Sequence, residues 1–315
     1  MSLHSPGFTQ EMNSNFAEIP KEKRLALKQA GTEKEWTALM PEASVYFFKT
    51  VDSVDLPLYV FSARYTTTSP PVMILFAGGA FSKGHPCGFY RQAFDYQARG
   101  ITVVLSKYRG TKSDQVPVIE AYRDGRDAVI WLRENLDKLN LPENTPIIAG
   151  GSSAGANLAL ALSTLEFLHE EAGNHKGKPD ALLLYDVGGG ASAMAPIEND
   201  PYLGPEPPWQ WNWYSEERFG GNPRDLSPFH HLSEGLPQAA IFIGGREKEK
   251  HLHGAWLLWT TATRLGGKWD FHLYADMPHG SMVGSAAWQP EVYRSVIDTT
   301  LRFFRRNKFL TDSSD

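Results

Sequence analysis

Three apolar runs in the chain each end in glycine: VMILFAGG at 72–79, TPIIAG at 145–150 (with Gly151 following) and AAIFIGG at 239–245. An apolar run of this length, bounded by glycine, reads as a strand buried on both faces. ITVVLSKYR at 101–109, ALLLYDVGGG at 181–190 and KWDFHLYADM at 268–277 add three more strands. Stretches with helical character separate them, at 88–99, 124–139, 156–172 and 251–265, and a closing helix is expected at 289–307. Buried strands joined by helical crossovers dictate an α/β fold: a mostly parallel central sheet flanked by helices. The runs ASVYFFK (43–49) and LPLYVFSARY (56–65) predict an antiparallel pair near its edge. Ligands of such sheets sit beyond the carboxyl ends of the strands, where the glycines fall.

Length and composition fit one such sheet. The chain has 315 residues, 42% of them hydrophobic, enough for a substantial core. Residues 43–315 are expected to form this domain. Residues 1–42 precede it, with Leu25, Leu27, Trp36 and Leu39 on a short helical pair that either covers the core or contributes to a cap over the site. The stretch 191–235 is too long for an ordinary crossover and holds several prolines before WQWNWY at 209–214. It is expected to be a helical and aromatic lid or pocket wall, the alternative being a surface insertion whose rings pack on the core.

The charge balance, 31 basic against 36 acidic residues, gives a net −5 and no attraction for nucleic-acid phosphates. Arg305, Arg306 and Lys308 lie among Phe303, Phe304 and Phe309 and read as a helix end. One cysteine, Cys87, rules out an intrachain disulfide and fits a reducing compartment. The first residues lack a basic segment followed by an apolar one, and no apolar run approaches the roughly 18 residues of a membrane span. A cytoplasmic protein is expected.

The chemistry centres on Gly151-Ser152-Ser153-Ala154-Gly155, a G-x-S-x-G motif between an apolar strand and a helix. A nucleophile on a sharp strand-to-helix turn needs small neighbours, and the helix that follows aims its N-terminal dipole at the reacting group. Ser153, with a glycine two residues away on each side, is the expected nucleophile. Backbone amides of Gly78, Gly79 and Ala154 are the expected oxyanion donors. His279, in a short loop after the last strand, suits a general base near neutral pH and comes last in the chain, as this order of elements requires. The acid is expected after the preceding strand, at Glu247 with Glu249 in reserve; Asp276 is too close to His279 in sequence to reach its far ring nitrogen. His230, His231, His251 and His253 match no compact zinc spacing, so neither a metal nor a cofactor is expected.

These motifs resemble the hormone-sensitive-lipase-like branch of the α/β-hydrolases over residues 55–310. That branch carries an HGGG-F oxyanion motif, here Ala77-Gly78-Gly79-Ala80-Phe81, and a D-Y-R element, here Lys107-Tyr108-Arg109. Its G-D-S-A-G elbow matches Gly151 to Gly155 and continues through Ala156-Asn157-Leu158. Its S-P segment matches Ser227-Pro228, and its final H-G matches His279-Gly280. The chain departs from it at Ala77 for histidine, Ala80 for glycine, Ser152 for aspartate and Glu247 for the acid aspartate. The resemblance implies a serine hydrolase that cleaves a carboxylic ester or lactone of a small to medium apolar molecule through an acyl-enzyme. The other activities of the group, as amidase, arylformamidase or biosynthetic cyclase, stay open, as does a binding protein without turnover. Phe81, Trp209, Trp211, Trp213 and Tyr214 are the expected pocket residues. The expected partner is a small-molecule ester, lactone or amide, with no nucleic acid and no membrane span; a homodimer is the one assembly in view.

Overall fold

The computed structural model of the chain describes residues 19–64, 71–188, 193–204, 214–283 and 289–310. Eight strands form one sheet: β1 (Ser44–Val51), β2 (Val54–Phe61), β3 (Val72–Phe76), β4 (Thr102–Ser106), β5 (Ile147–Ser152), β6 (Ala181–Tyr185), β7 (Gln238–Gly244) and β8 (Trp269–Tyr274). Their spatial order is β1-β2-β4-β3-β5-β6-β7-β8. β1 and β2 pair antiparallel, β2 meets β4 antiparallel, and every other neighbour is parallel. The edge hairpin slips register between Phe47 and Lys49, opposite Pro57, which has no N–H for the ladder.

Period-two alternation divides the strand side chains between two cores. Val72, Ile74, Phe76, Ala149, Leu182 and Leu184 face the layer holding helices α4 (Val118–Glu134), α5 (Ala154–Thr164) and α8 (Glu249–Arg264). Met73, Leu75, Ile148, Leu183 and Tyr185 face α3 (Tyr90–Gln97) and α9 (Pro290–Arg306). The N-terminal helices α1 (Lys21–Gln29) and α2 (Glu33–Leu39) join this second core through Leu27, Trp36 and Met40. Leu25 is exposed, so that position does not pack as the sequence suggests.

α4 starts at Val118, just after Pro117, and not at Asp124. Its first turns pack through Val118, Ala121 and Tyr122, and a Cβ at Gly125 would lie 2.4 Å from Leu158 of α5. Asp124 is therefore buried mid-helix, held by Arg109 at 2.9 Å and by Lys49 at 3.1 Å. Between β3 and β5 the chain order turns: β4 lies on one side of β3 and β5 on the other. In sheets of this kind the loops leaving the strands on either side of such a turn border the ligand crevice.

Candidate active site

β5 runs into α5 through Ser153, whose backbone stands at φ 53°, ψ −115°. This left-handed conformation costs a non-glycine residue about 1–3 kcal/mol. Close packing holds it. The Ser153 N–H donates to the Tyr185 carbonyl at 2.9 Å, and its own carbonyl accepts from Asn157 N at 3.0 Å. A Cβ at Gly155 would lie 1.9 Å from the Phe76 carbonyl oxygen, and one at Gly151 would lie 2.2 Å from the Gly155 carbonyl carbon. Glycine at both motif positions is thus a steric requirement. Ser153 lines a cavity, whereas Ser152 is buried beside Asp186. Ala154 is the first residue of α5, so its N–H has no acceptor within the helix.

The loop after β3 lies against this turn. A Cβ at Gly78 would sit 2.8 Å from the Ser152 carbonyl oxygen and 3.4 Å from Ser153 Cβ. Gly79, Ala80 and Phe81 then take φ values of 118°, 53° and 59° in succession. The loop is tied at several points: the Tyr108 hydroxyl donates to the Ala77 carbonyl at 2.7 Å, Thr111 N donates to Phe81 O at 2.7 Å, and Arg218 Nη2 donates to Ala80 O at 2.7 Å. Alanine in place of the motif's third glycine is held in a left-handed conformation by these bonds. Phe81 is buried edge-on against Tyr122, with ring centroids 5.7 Å apart.

His279 follows β8, and its Nδ1 lies 2.5 Å from Glu247 Oε1. Of the two glutamates open in the sequence, Glu247 is the one beside His279; Glu249 is exposed at the start of α8. Glu247 is buried and holds a second imidazole: His251 Nδ1 is 3.0 Å from Oε2. Burial pushes the Glu247 carboxyl up, but the hydrogen bonds from His251 and His279 outweigh it and hold it below the usual carboxylate range. The Glu247 hydrogen bond raises His279, against burial, with the charges of Glu247 and Asp186 adding to it. Asp186, at the end of β6, accepts from the Gly280 N–H at 3.2 Å. Its Oδ1 is buried without a hydrogen-bond partner among the described residues. Burial pushes Asp186 up to about 7, opposed by the charge of His279 and aided by that of Glu247.

Ala80, Phe81, Ser153, Met194, Tyr214, Arg218, Phe219, His251 and His279 are among the residues around a cavity of about 140 Å³. Tyr214 packs on Phe219 with ring centroids 5.6 Å apart, so its ring is part of the wall and not free at the surface. The described part of the 191–235 stretch includes the short helix α7 (Glu216–Phe219), which carries Arg218 to the cavity. Trp209, Trp211 and Trp213 lie outside the described residues.

Among the described residues, Glu247, His251 and His279 form the one cluster that offers three metal-ligand atoms within 4.8 Å of one another. Zinc holds such ligands about 2.0–2.2 Å away, which separates two of them by about 3.3 Å. The 2.5 Å approach of His279 to Glu247 is a direct hydrogen bond and is shorter than that spacing.

His251, Asp186 and Arg218 stand at the site without being expected there. His251 lies four residues after Glu247, yet Glu247 precedes α8, so helical spacing alone does not pair them; the turn that begins α8 does. Asp186 and Arg218 reach the site only through chain crossings that no local pattern reports. His230 serves elsewhere, with Nδ1 2.8 Å from Ser227 Oγ.

A sequence model of the alpha/beta hydrolase fold matches residues 73–283. The chain belongs to this family. No curated protein matches it by sequence. Among solved structures it is similar to a thermophilic esterase from the planctomycete Thermogutta terrifontis, with 23% identity over 88% of this chain and 96% of that one and a TM-score of 0.75. The butyrate-bound form of the same esterase aligns at 24% identity over 86% and 96% of the two chains, TM-score 0.75. The form phosphonylated by sarin aligns at 24% over 87% and 98%, TM-score 0.75. Among the described residues, no helix is long and apolar enough to cross a membrane.

Proposed function

We propose that the chain is a serine hydrolase that cleaves carboxylic esters or lactones of small to medium apolar molecules through an acyl-enzyme. The observation that carries this reading is the 2.5 Å contact of Glu247 with His279, beside the same cavity that holds the strained Ser153. In this reading Ser153 attacks the carbonyl carbon while His279 takes its proton. Glu247 holds the imidazole in the Nδ1–H form and stabilises the imidazolium. Amides of Gly78, Gly79 and Ala154 receive the oxyanion, each worth about 3 kcal/mol in the transition state. His279 then protonates the leaving alcohol, and water activated by the same ring releases the acid.

The motif likeness supports a place in the hormone-sensitive-lipase-like branch. Residues 43–315 act as the catalytic domain in this reading, with 191–235 as lid and 1–42 at its border. The cavity wall of Phe81, Met194, Tyr214 and Phe219 supports an apolar acyl group, and its size supports a short one. Butyrate bound to the Thermogutta esterase makes a four-carbon acyl chain the first probe.

The test is hydrolysis of p-nitrophenyl esters from acetate to decanoate, with Ser153→Ala alongside. Turnover is expected to peak at short chains and to fall by about 10⁴-fold or more in the variant. Equal rates for wild type and Ser153→Ala would sink the assignment of the nucleophile; a maximum at decanoate would contradict the short pocket.

A further inference from the structure

The carboxylate of Glu247 serves two histidines, and the second has no part in the acyl-transfer scheme. His251 sits in the first turn of α8, two residues past its start, and donates from Nδ1 to Glu247 Oε2 at 3.0 Å. His279 takes the other oxygen, Oε1. The two rings stand 5.6 Å apart at their centroids, and both line the cavity with Ser153. The backbone of His251 is fixed from two sides: its N–H donates to Lys248 O at 2.8 Å, and the turn after β6 presses on its carbonyl, where a Cβ at Gly188 would lie 1.9 Å from the oxygen.

We propose that His251 is a positioning residue: by donating to Oε2 it locks the Glu247 carboxylate in the one orientation that leaves Oε1 to His279. The kinetic part of this inference rests on the hydrolase reading above. A buried carboxylate with one oxygen unsatisfied would turn or be displaced to find a donor. Glutamate also carries one more rotatable bond than the aspartate of the resembling branch, so it has more orientations to suppress. The second imidazole removes that freedom. The groups facing Glu247 are His279 from the loop after β8, His251 from α8 and Asp186 from the end of β6. Lys248 and Glu249, beside it in the chain, are exposed, and Lys250 is half-buried.

The experiment compares His251→Leu, which removes the donor, with His251→Asn, which returns an N–H near the place of Nδ1. In each, kcat and KM on p-nitrophenyl butyrate are measured across pH, and the His279 ring is titrated by NMR with labelled histidine. In His251→Leu the misplaced carboxylate is expected to lower kcat about 10-fold to 100-fold. A carboxylate turned away from His279 supports the imidazolium less. The His279 titration and the acid limb of kcat/KM should therefore both move to lower pH, while His251→Asn restores both.

An unchanged His279 titration in His251→Leu would overturn the proposal, since a ring that only fills space leaves His279 unmoved. So would His251→Asn being as impaired as His251→Leu, or a change confined to KM. The NMR arm needs no turnover. If the wild type hydrolyses nothing yet the titration moves as expected, the hydrolase reading fails and the positioning role of His251 stands.

Discussion

Glu247 and Asp186 are two carboxylates of one site that their surroundings push in opposite directions. Glu247 has a histidine on each oxygen and is held in the charged form, whereas burial pushes Asp186 up to about 7. Asp186 lies above its unfolded value of about 3.9, so the fold favours its neutral form. That stability is present at low pH and is lost as pH rises from about 4 towards 7. Asp186→Asn is therefore expected to raise Tm at pH 8 and to leave it nearly unchanged at pH 4.5. Thermal melts of both proteins at the two pH values check this, and equal shifts at both would contradict it. His279 works in the other direction. In the proposed reaction it must be neutral to take a proton from Ser153, and Glu247 raises it, so activity should be lost as pH falls through that raised value. Glu247→Gln is expected to move this acid limb to lower pH and to cut the plateau rate by about 10²-fold to 10⁴-fold. A pH–rate profile with its limb unmoved would argue that Glu247 does not set the charge of His279.

At the scale of elements, α5 is the piece on which the site depends. It is buried on nearly all sides, and Gly155 brings its first turn against the end of β3. Gly155→Ala would drive a Cβ into the Phe76 carbonyl, which backbone cannot evade as a side chain can. A loss of about 3 kcal/mol is expected, the upper end of the range for overpacking, measured by denaturant unfolding. A loss under about 0.5 kcal/mol, typical of a surface change, would mean that the turn relaxes. This element was legible in advance, because an apolar strand, G-x-S-x-G and an Ala/Leu-rich run stand consecutively in the chain. The start of α4 was not. Its first turns carry a proline border and a glycine at 125, both signals of interruption, yet the glycine is there because Leu158 needs the space. The stretch 191–235 was legible as unusual and not as structure: α7 and the bond from Arg218 to Ala80 depend on where the loop after β3 lies in space.

For the whole molecule, the two faces of one sheet supply the stability, and no covalent cross-link assists them. Cys87 is buried, and burial pushes its thiol up to about 12. It is expected to resist thiol reagents in the native protein and to react fully on unfolding, with Tm the same with and without reductant. Labelling at native pH as fast as in denaturant would show that this core face opens readily.

The order of strands and helices, the two-sided burial of the sheet and the position of the serine turn were determined by the sequence itself, because continuous apolar runs and glycine borders are local and act without long-range information. The parallel register and the turn of chain order beside β3 follow from them through the packing of helices on both faces. Which carboxylate meets His279, and that a second histidine shares it, only the tertiary structure decided. Glu247 and Glu249 differ by two positions in a charged run, and sequence alone holds no distance. The fold separates them because the turn after β7 points Glu247 inwards, while α8 begins at Glu249 and carries it to solvent.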